Sequence, residues 1–187
     1  GFQWDGDKGT RPEKYPFGLL NKAWAIDLSS TQPQWSRLPD FPGEPRQGLF
    51  CAVVGDAMYF WGGFSYTAPA CYKDGFRLRR DGGDWLWSKM PDLPWMLTFS
   101  GTCAIGSRIY VLGGHDYDNM DSGGMHTITD RTGRIKRLGA RMLMIDTADP
   151  EATWTELSPC PGTPRAACAL AAIDGKIYAV GGDGVQL

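Results

Sequence analysis

Short apolar runs recur along the chain between clusters of Gly, Pro and Asp. Met58-Tyr59-Phe60-Trp61, Ile109-Tyr110-Val111-Leu112 and Ile177-Tyr178-Ala179-Val180 are apolar at successive positions rather than at every second one. That pattern predicts short strands covered on both faces. Each run stops at a glycine pair, Gly62-Gly63, Gly113-Gly114 and Gly181-Gly182. Paired glycines allow positive φ or a close backbone approach, and no Lys-Ser/Thr follows them to suggest a phosphate loop. The apolar spacing predicts twelve strands, at about 22–28, 33–38, 47–54, 57–62, 75–80, 84–90, 98–105, 108–113, 141–146, 152–157, 166–173 and 176–181.

A second phrase precedes each run at a fixed distance. Trp35-Ser36-Arg37-Leu38-Pro39, Trp87-Ser88-Lys89-Met90-Pro91 and Trp154-Thr155-Glu156-Leu157-Ser158 lie 27, 26 and 27 residues before the first glycine of the following pair. Two phrases held at one distance in three copies define an internal repeat of roughly 50 residues, the period of a four-stranded propeller blade. Here the chain resembles the kelch family, from about Ala23 to Gly182. The resemblance implies an all-β fold of β-propeller blades within one domain. It divides the chain into a half blade at 18–40, a blade at 46–91, a blade at 97–158 with an insertion at 114–139, and a half blade at 165–183. The three repeated tryptophans are expected at equivalent buried positions between blades, as core rather than as sugar platforms.

About three blades are too few to close a ring, which needs about four to eight. The expectation is a piece of a longer chain, or two copies that share their half blades head to tail. Open strand edges favour such self-association.

Composition narrows the function classes. Nineteen Lys and Arg face twenty-one Asp and Glu, a net charge of −2 without single-sign blocks, so no nucleic-acid partner is expected. No apolar stretch reaches the ~20 residues of a membrane span, and no membrane partner is expected. The compartment stays open. Cys51, Cys71, Cys103, Cys160 and Cys168 show no CxxC spacing, arguing against a zinc cage or a disulfide framework, and are expected to be mostly buried thiols.

Candidate site residues follow from topology. In a four-stranded meander the long connections all emerge on one face, and this face also carries the start of each innermost strand. Arg46 and Arg165 begin two of those strands. Each is read either as a tie between loop and strand or as a clamp on a ligand carboxylate. Tyr66, His115, Asp116 and Tyr117 lie on the long loops of the same face. The spacing of His115, Asp116, Asp118 and Asp121 matches no EF-hand or zinc pattern, so neither metal nor cofactor is expected, and His126 has no companion motif. Basic residues 131–137 are expected on a solvated hairpin with Thr132-Gly133 at its tip.

Two function classes remain open, because kelch propellers serve both. One is a binding module that presents the loop face to a protein, peptide or glycan. The other is a carbohydrate mutarotase or epimerase, since the segment from Trp35 to Arg46 with Met58 to Gly63 resembles the bacterial sialic acid mutarotases. That resemblance implies an acidic sugar as ligand, Arg46 or Arg165 as clamp, and His115, Asp116 or Glu44 as proton carriers. A galactose-oxidase-like copper site would need two His, two Tyr and a Tyr-linked Cys. The two histidines here both fall in the insertion, so that reading is set aside.

Overall fold

The computed structural model describes residues 19–65, 71–117, 126–129 and 135–184. Strands β1 (Trp24–Ile26) and β2 (Trp35–Arg37) form an antiparallel pair. A four-stranded meander follows: β3 (Phe50–Val54), β4 (Ala57–Trp61), β5 (Gly75–Asp81) and β6 (Asp84–Met90). A second sheet of the same form contains β7 (Gly101–Ile105) and β8 (Arg108–Leu112). The chain then leaves it for β9 (His115–Tyr117), β10 (His126–Thr129) and β11 (Ile135–Leu138), and returns as β12 (Met142–Asp146) and β13 (Thr155–Leu157). Last come β14 (Arg165–Ala166), β15 (Ala169–Ile173), β16 (Lys176–Val180) and β17 (Asp183–Gly184), with β15 paired to β16 and β14 to β17. Each of the twelve strands expected from the apolar runs is met by a strand, with ends within three residues of the expected span. Strands β9, β10 and β17 were not expected; β11 falls on the segment expected as a hairpin, and β14 is a short piece at the start of the expected 166–173 strand.

The innermost strands β3, β7 and β15 lie side by side, as successive blades of a propeller place them. The main core fills the space between the two complete sheets. Phe50, Tyr59 and Trp61 come from one side, Ile109, Val111, Leu143 and Ile145 from the other. Trp61 is fully buried, donates its indole N–H to the Pro91 carbonyl at 3.0 Å, and packs edge-on against Trp154 with ring centroids 5.1 Å apart. The doubly apolar run at Met58 to Trp61 is thereby explained. Its other face meets Trp87, which contacts Phe60 and the Phe41 ring of the preceding segment.

The glycine pairs mark where one blade touches the next. Gly114 donates its N–H to the Arg165 carbonyl at 3.0 Å, and Gly63 donates to Leu97 at 2.9 Å. A Cβ on Gly113 would collide with the Arg165 carbonyl oxygen, and its φ of 64° lies in the left-handed region. Close backbone approach between blades therefore requires glycine there. At Asp174-Gly175 both φ angles are positive, 51° and 71°, as a tight hairpin between β15 and β16 demands.

Two expectations need correction. The repeated tryptophans are not equally buried: Trp87 and Trp154 are half-buried, but Trp35 is 65% exposed. Trp154 is covered by Trp61 of the preceding blade, whereas among the described residues no sheet stands before β1 and β2 to cover Trp35. Similarly, Cys71 and Cys168 are buried and Cys103 and Cys160 partly so, but Cys51 is exposed. Burial pushes the Cys103 and Cys168 thiols above their ordinary range, so both stay protonated and unreactive near neutral pH. The five cysteines are free, without a disulfide among them.

Candidate functional site

Strand pairing places the start of each innermost strand beside the residue that follows a glycine pair. Gln47 and Phe64 exchange backbone hydrogen bonds of 2.9 and 2.7 Å, and Thr98 and His115 exchange bonds of 2.9 and 3.0 Å. Ala166 pairs with Asp183 in the same way. The three sites are equivalent in the repeat, so Phe64, His115 and Asp183 occupy one structural position in successive blades. The next residues along the innermost strands, Gly48, Phe99 and Ala167, all have positive φ, at 67°, 54° and 53°. They are also joined across blades. Phe99 donates its N–H to Gly48 at 3.0 Å, and Ala167 donates to Phe99 at 2.6 Å. A hydrogen-bonded arc thus links three blades on the loop face, close to the axis.

Phe99 stands out on this arc. A side chain with a Cβ in the left-handed region costs about 1–2 kcal/mol; Ala167 shares that cost and Gly48 avoids it, but only Phe99 carries a large ring there. Its ring stacks on the His115 imidazole with centroids 5.4 Å apart and planes 19° from parallel. The same ring covers Gly48, where a Cβ would come within 2.9 Å of it. Phe99 itself is only half-buried. Backbone strain held in a well-packed setting is a pointer to function, and sequence reasoning missed it because φ is not legible in residue types.

The insertion is a three-stranded antiparallel sheet in the order β10-β11-β9. The 131–137 region forms a hairpin in part, β11 pairing with β10, but β11 also pairs back onto β9. Its register sets Lys136 opposite Tyr117, Arg137 opposite Asp116 and Leu138 opposite His115. His126 lies opposite Leu138 from the other side, so the two histidines occupy the ends of one cross-strand row. His115 and Asp116 are buried, at 4% and 2% exposure. As consecutive strand residues they point to opposite sides of β9. They therefore do not form an acid and base pair on one atom. Tyr66, Asp118, Asp121 and the 130–134 tip lie outside the described residues, and Tyr117 is placed by its backbone alone. Among the described residues no group of three or more His, Cys, Asp or Glu side chains is arranged to hold a metal ion.

The two arginines differ. Arg46 is 2% exposed. Its Nε donates to the Glu44 carbonyl at 2.9 Å and its Nη1 to the Gly62 carbonyl at 3.2 Å, while Nη1 and Nη2 grip both oxygens of Asp74. The Tyr72 ring lies 3.6 Å and the Phe41 ring 5.3 Å from the guanidinium carbon. With its fork occupied and its faces covered, Arg46 is a tie between loop and strands, and the clamp reading for it gives way. Arg165 repeats the first two bonds, to the Thr163 carbonyl at 3.2 Å and the Gly181 carbonyl at 3.4 Å, and is partly exposed. Among the described residues it makes no ion pair. Glu44 is exposed, and only its backbone takes part here.

Comparison with known proteins agrees with this architecture. No protein-family model matches the chain. It is 29% identical over 98 residues to N-acetylneuraminate epimerase of Haemophilus influenzae, in two strains. That match takes in 50% of this chain and 26% of the relative, so the chain spans about a quarter of the length of the curated relatives it matches. The solved structure of YjhT superposes with a TM-score of 0.67 at 15% identity, over 88% of this chain and 46% of YjhT. The fold is thus that of kelch-type propeller blades, with a distant resemblance to N-acetylneuraminate epimerase.

Proposed function

We propose that this chain supplies part of a kelch propeller that binds a sugar of the sialic acid type at the axial end of its loop face, with Phe99 as the platform. The observation that carries the reading is Phe99, a half-exposed aromatic ring held at positive φ and backed by His115. A sugar ring presents a flat apolar face to such a surface, while polar groups fix its orientation. The resemblance to N-acetylneuraminate epimerase supports the choice of sugar.

The test turns on Phe99→Gly. Glycine tolerates the left-handed backbone, so relief of strain offsets lost packing and the melting temperature stays within a few degrees of wild type. Titration calorimetry with N-acetylneuraminate is expected to show a loss of ~1.5–3 kcal/mol of affinity, the value of burying a Phe side chain. Unchanged affinity would refute the platform. The same resemblance favours a second reading, in which the site also speeds anomer exchange. Saturation-transfer NMR of the sugar tests it, with exchange faster than buffer in the wild type and slowed in Phe99→Gly as the expected result.

A further inference from the structure

The outermost strands β2, β6 and β13 differ in length. β2 and β13 have three residues each, whereas β6 runs for seven, from Asp84 to Met90. Exposed edges are ordinarily kept short or interrupted, because an open row of N–H and C=O groups invites another chain to pair. β6 is neither, and it is held firmly in place: the Trp87 indole donates to the Pro39 carbonyl at 3.1 Å, and its ring packs against Phe41 and Phe60. Among the described residues no strand pairs with its outer side. The turn before it decides which backbone groups face outward. Gly82 and Gly83 have φ of 59° and 106°, as a two-residue hairpin requires, so Asp81 and Asp84 are the hydrogen-bonded pair that closes it. Hydrogen-bonded and open pairs alternate along an antiparallel ladder. Leu86, Ser88 and Met90 therefore bond inward to β5, while Trp85, Trp87 and Lys89 turn their N–H and C=O groups to the outer edge.

The side chains along this edge are cationic. Residues 75–90 hold Arg77, Arg79, Arg80 and Lys89 against Asp81 and Asp84, an excess of positive charge in a chain of net charge −2. Cross-strand register puts Arg80, Trp85, Trp87 and Lys89 on one face, and Arg79 with the exposed Leu86 on the other. Arg80 is exposed, with its guanidinium 5.7 Å from the Trp85 ring. Lys89 lies over the Phe76 ring and meets Asp92 at 3.0 Å, both at the surface. We infer that the outer edge of β6 docks an extended acidic segment of a partner protein as an added antiparallel strand. Residues of that segment opposite Trp85, Trp87 and Lys89 exchange backbone hydrogen bonds with them and carry carboxylates toward Arg80 and Lys89; the alternate residues are apolar and cover Leu86. The same cations guard the edge against a second copy. Antiparallel pairing of β6 with itself about Trp87 brings Lys89 of each copy toward Arg80 of the other, and like charges select against that partner.

The probe is a capped peptide of about eight residues alternating Glu and Val, added to the intact protein and followed by amide hydrogen exchange in NMR. In the free protein the amides of Trp85, Trp87 and Lys89 are expected to exchange fast, and those of Leu86, Ser88 and Met90 slowly. Saturating peptide should slow the first set about tenfold or more. Affinity from the shift titration should fall about tenfold in the double variant Arg80→Glu with Lys89→Glu, two exposed positions whose exchange leaves the core untouched. A peptide alternating Lys and Val should not bind. Nor should the Glu peptide N-methylated at every Glu, which keeps its charge but loses the N–H groups that pair. Amides of Trp85, Trp87 and Lys89 that the peptide leaves unprotected, equal affinity in the double variant, or equal binding of the N-methylated peptide would overturn the inference. Protection of the same three amides by raised protein concentration alone would also overturn it, and would assign the edge to a second copy.

Discussion

Alanine at Trp61 is expected to lower stability by about 3–5 kcal/mol in denaturant unfolding, near the top of the range for a single core residue. Trp61 is fully buried between the two complete blades, stacks on Tyr59 at 6.1 Å and meets Trp154 edge-on. Its removal leaves a cavity that β-sheet backbones on both sides cannot collapse to fill, and it strands the Pro91 carbonyl. Gly75 lies directly under the indole, where a Cβ would collide with Nε1, so the ring is seated on backbone. Trp35→Ala is the internal control. Its ring is mostly exposed, and a loss within about 0.5 kcal/mol is expected, as for other surface changes. Equal losses at the two positions would contradict the placement of the core.

Arg46→Ala is expected to cost ~2–4 kcal/mol. Breaking a buried ion pair costs about 3–5 kcal/mol when one charge is left alone, and the Asp74 side chain is 24% exposed, which lowers the figure. Arg46→Lys should recover little, because one ammonium cannot serve the Glu44 and Gly62 carbonyls together with both Asp74 oxygens. The double variant Arg46→Ala with Asp74→Ala should lose less than the sum of the single losses. Additive losses, measured by thermal and denaturant melts, would show that the pair is not coupled. Affinity for N-acetylneuraminate at low temperature, where the variants remain folded, should be nearly unchanged, since Arg46 is closed off from ligand.

Much of the fold was legible because its signals are local. Apolar runs such as Ile109 to Leu112, the glycine pairs that end them and the Asp174-Gly175 hairpin depend on residues close in sequence, and these strands form where expected. What the sequence concealed depends on partners far along the chain. Arg46 could be read as tie or clamp until Asp74, 28 residues away, was found in its fork. Trp35 shares the repeat phrase with Trp87 and Trp154, but burial is decided by the neighbouring sheet and not by the phrase. The insertion showed as a lengthened repeat interval, yet its return onto β9, which aligns His115, Leu138 and His126, is a long-range pairing without a local signature. Phe99 was hidden most completely, since nothing in Leu97-Thr98-Phe99 announces a left-handed backbone.

The most direct test of the proposed site uses the small number of histidines. The sequence contains two, His115 and His126, so selective ¹³C labelling of histidine leaves two sets of imidazole signals, which a His126→Gln variant assigns. His115 stacks on the Phe99 ring, and a sugar seated on that ring changes both its packing and its ring-current shift. On titration with N-acetylneuraminate, the His115 signals are predicted to move saturably in the wild-type protein and to stay still in Phe99→Gly. Wild-type His115 signals that do not move at saturating millimolar sugar would contradict a sialic acid site at this mouth.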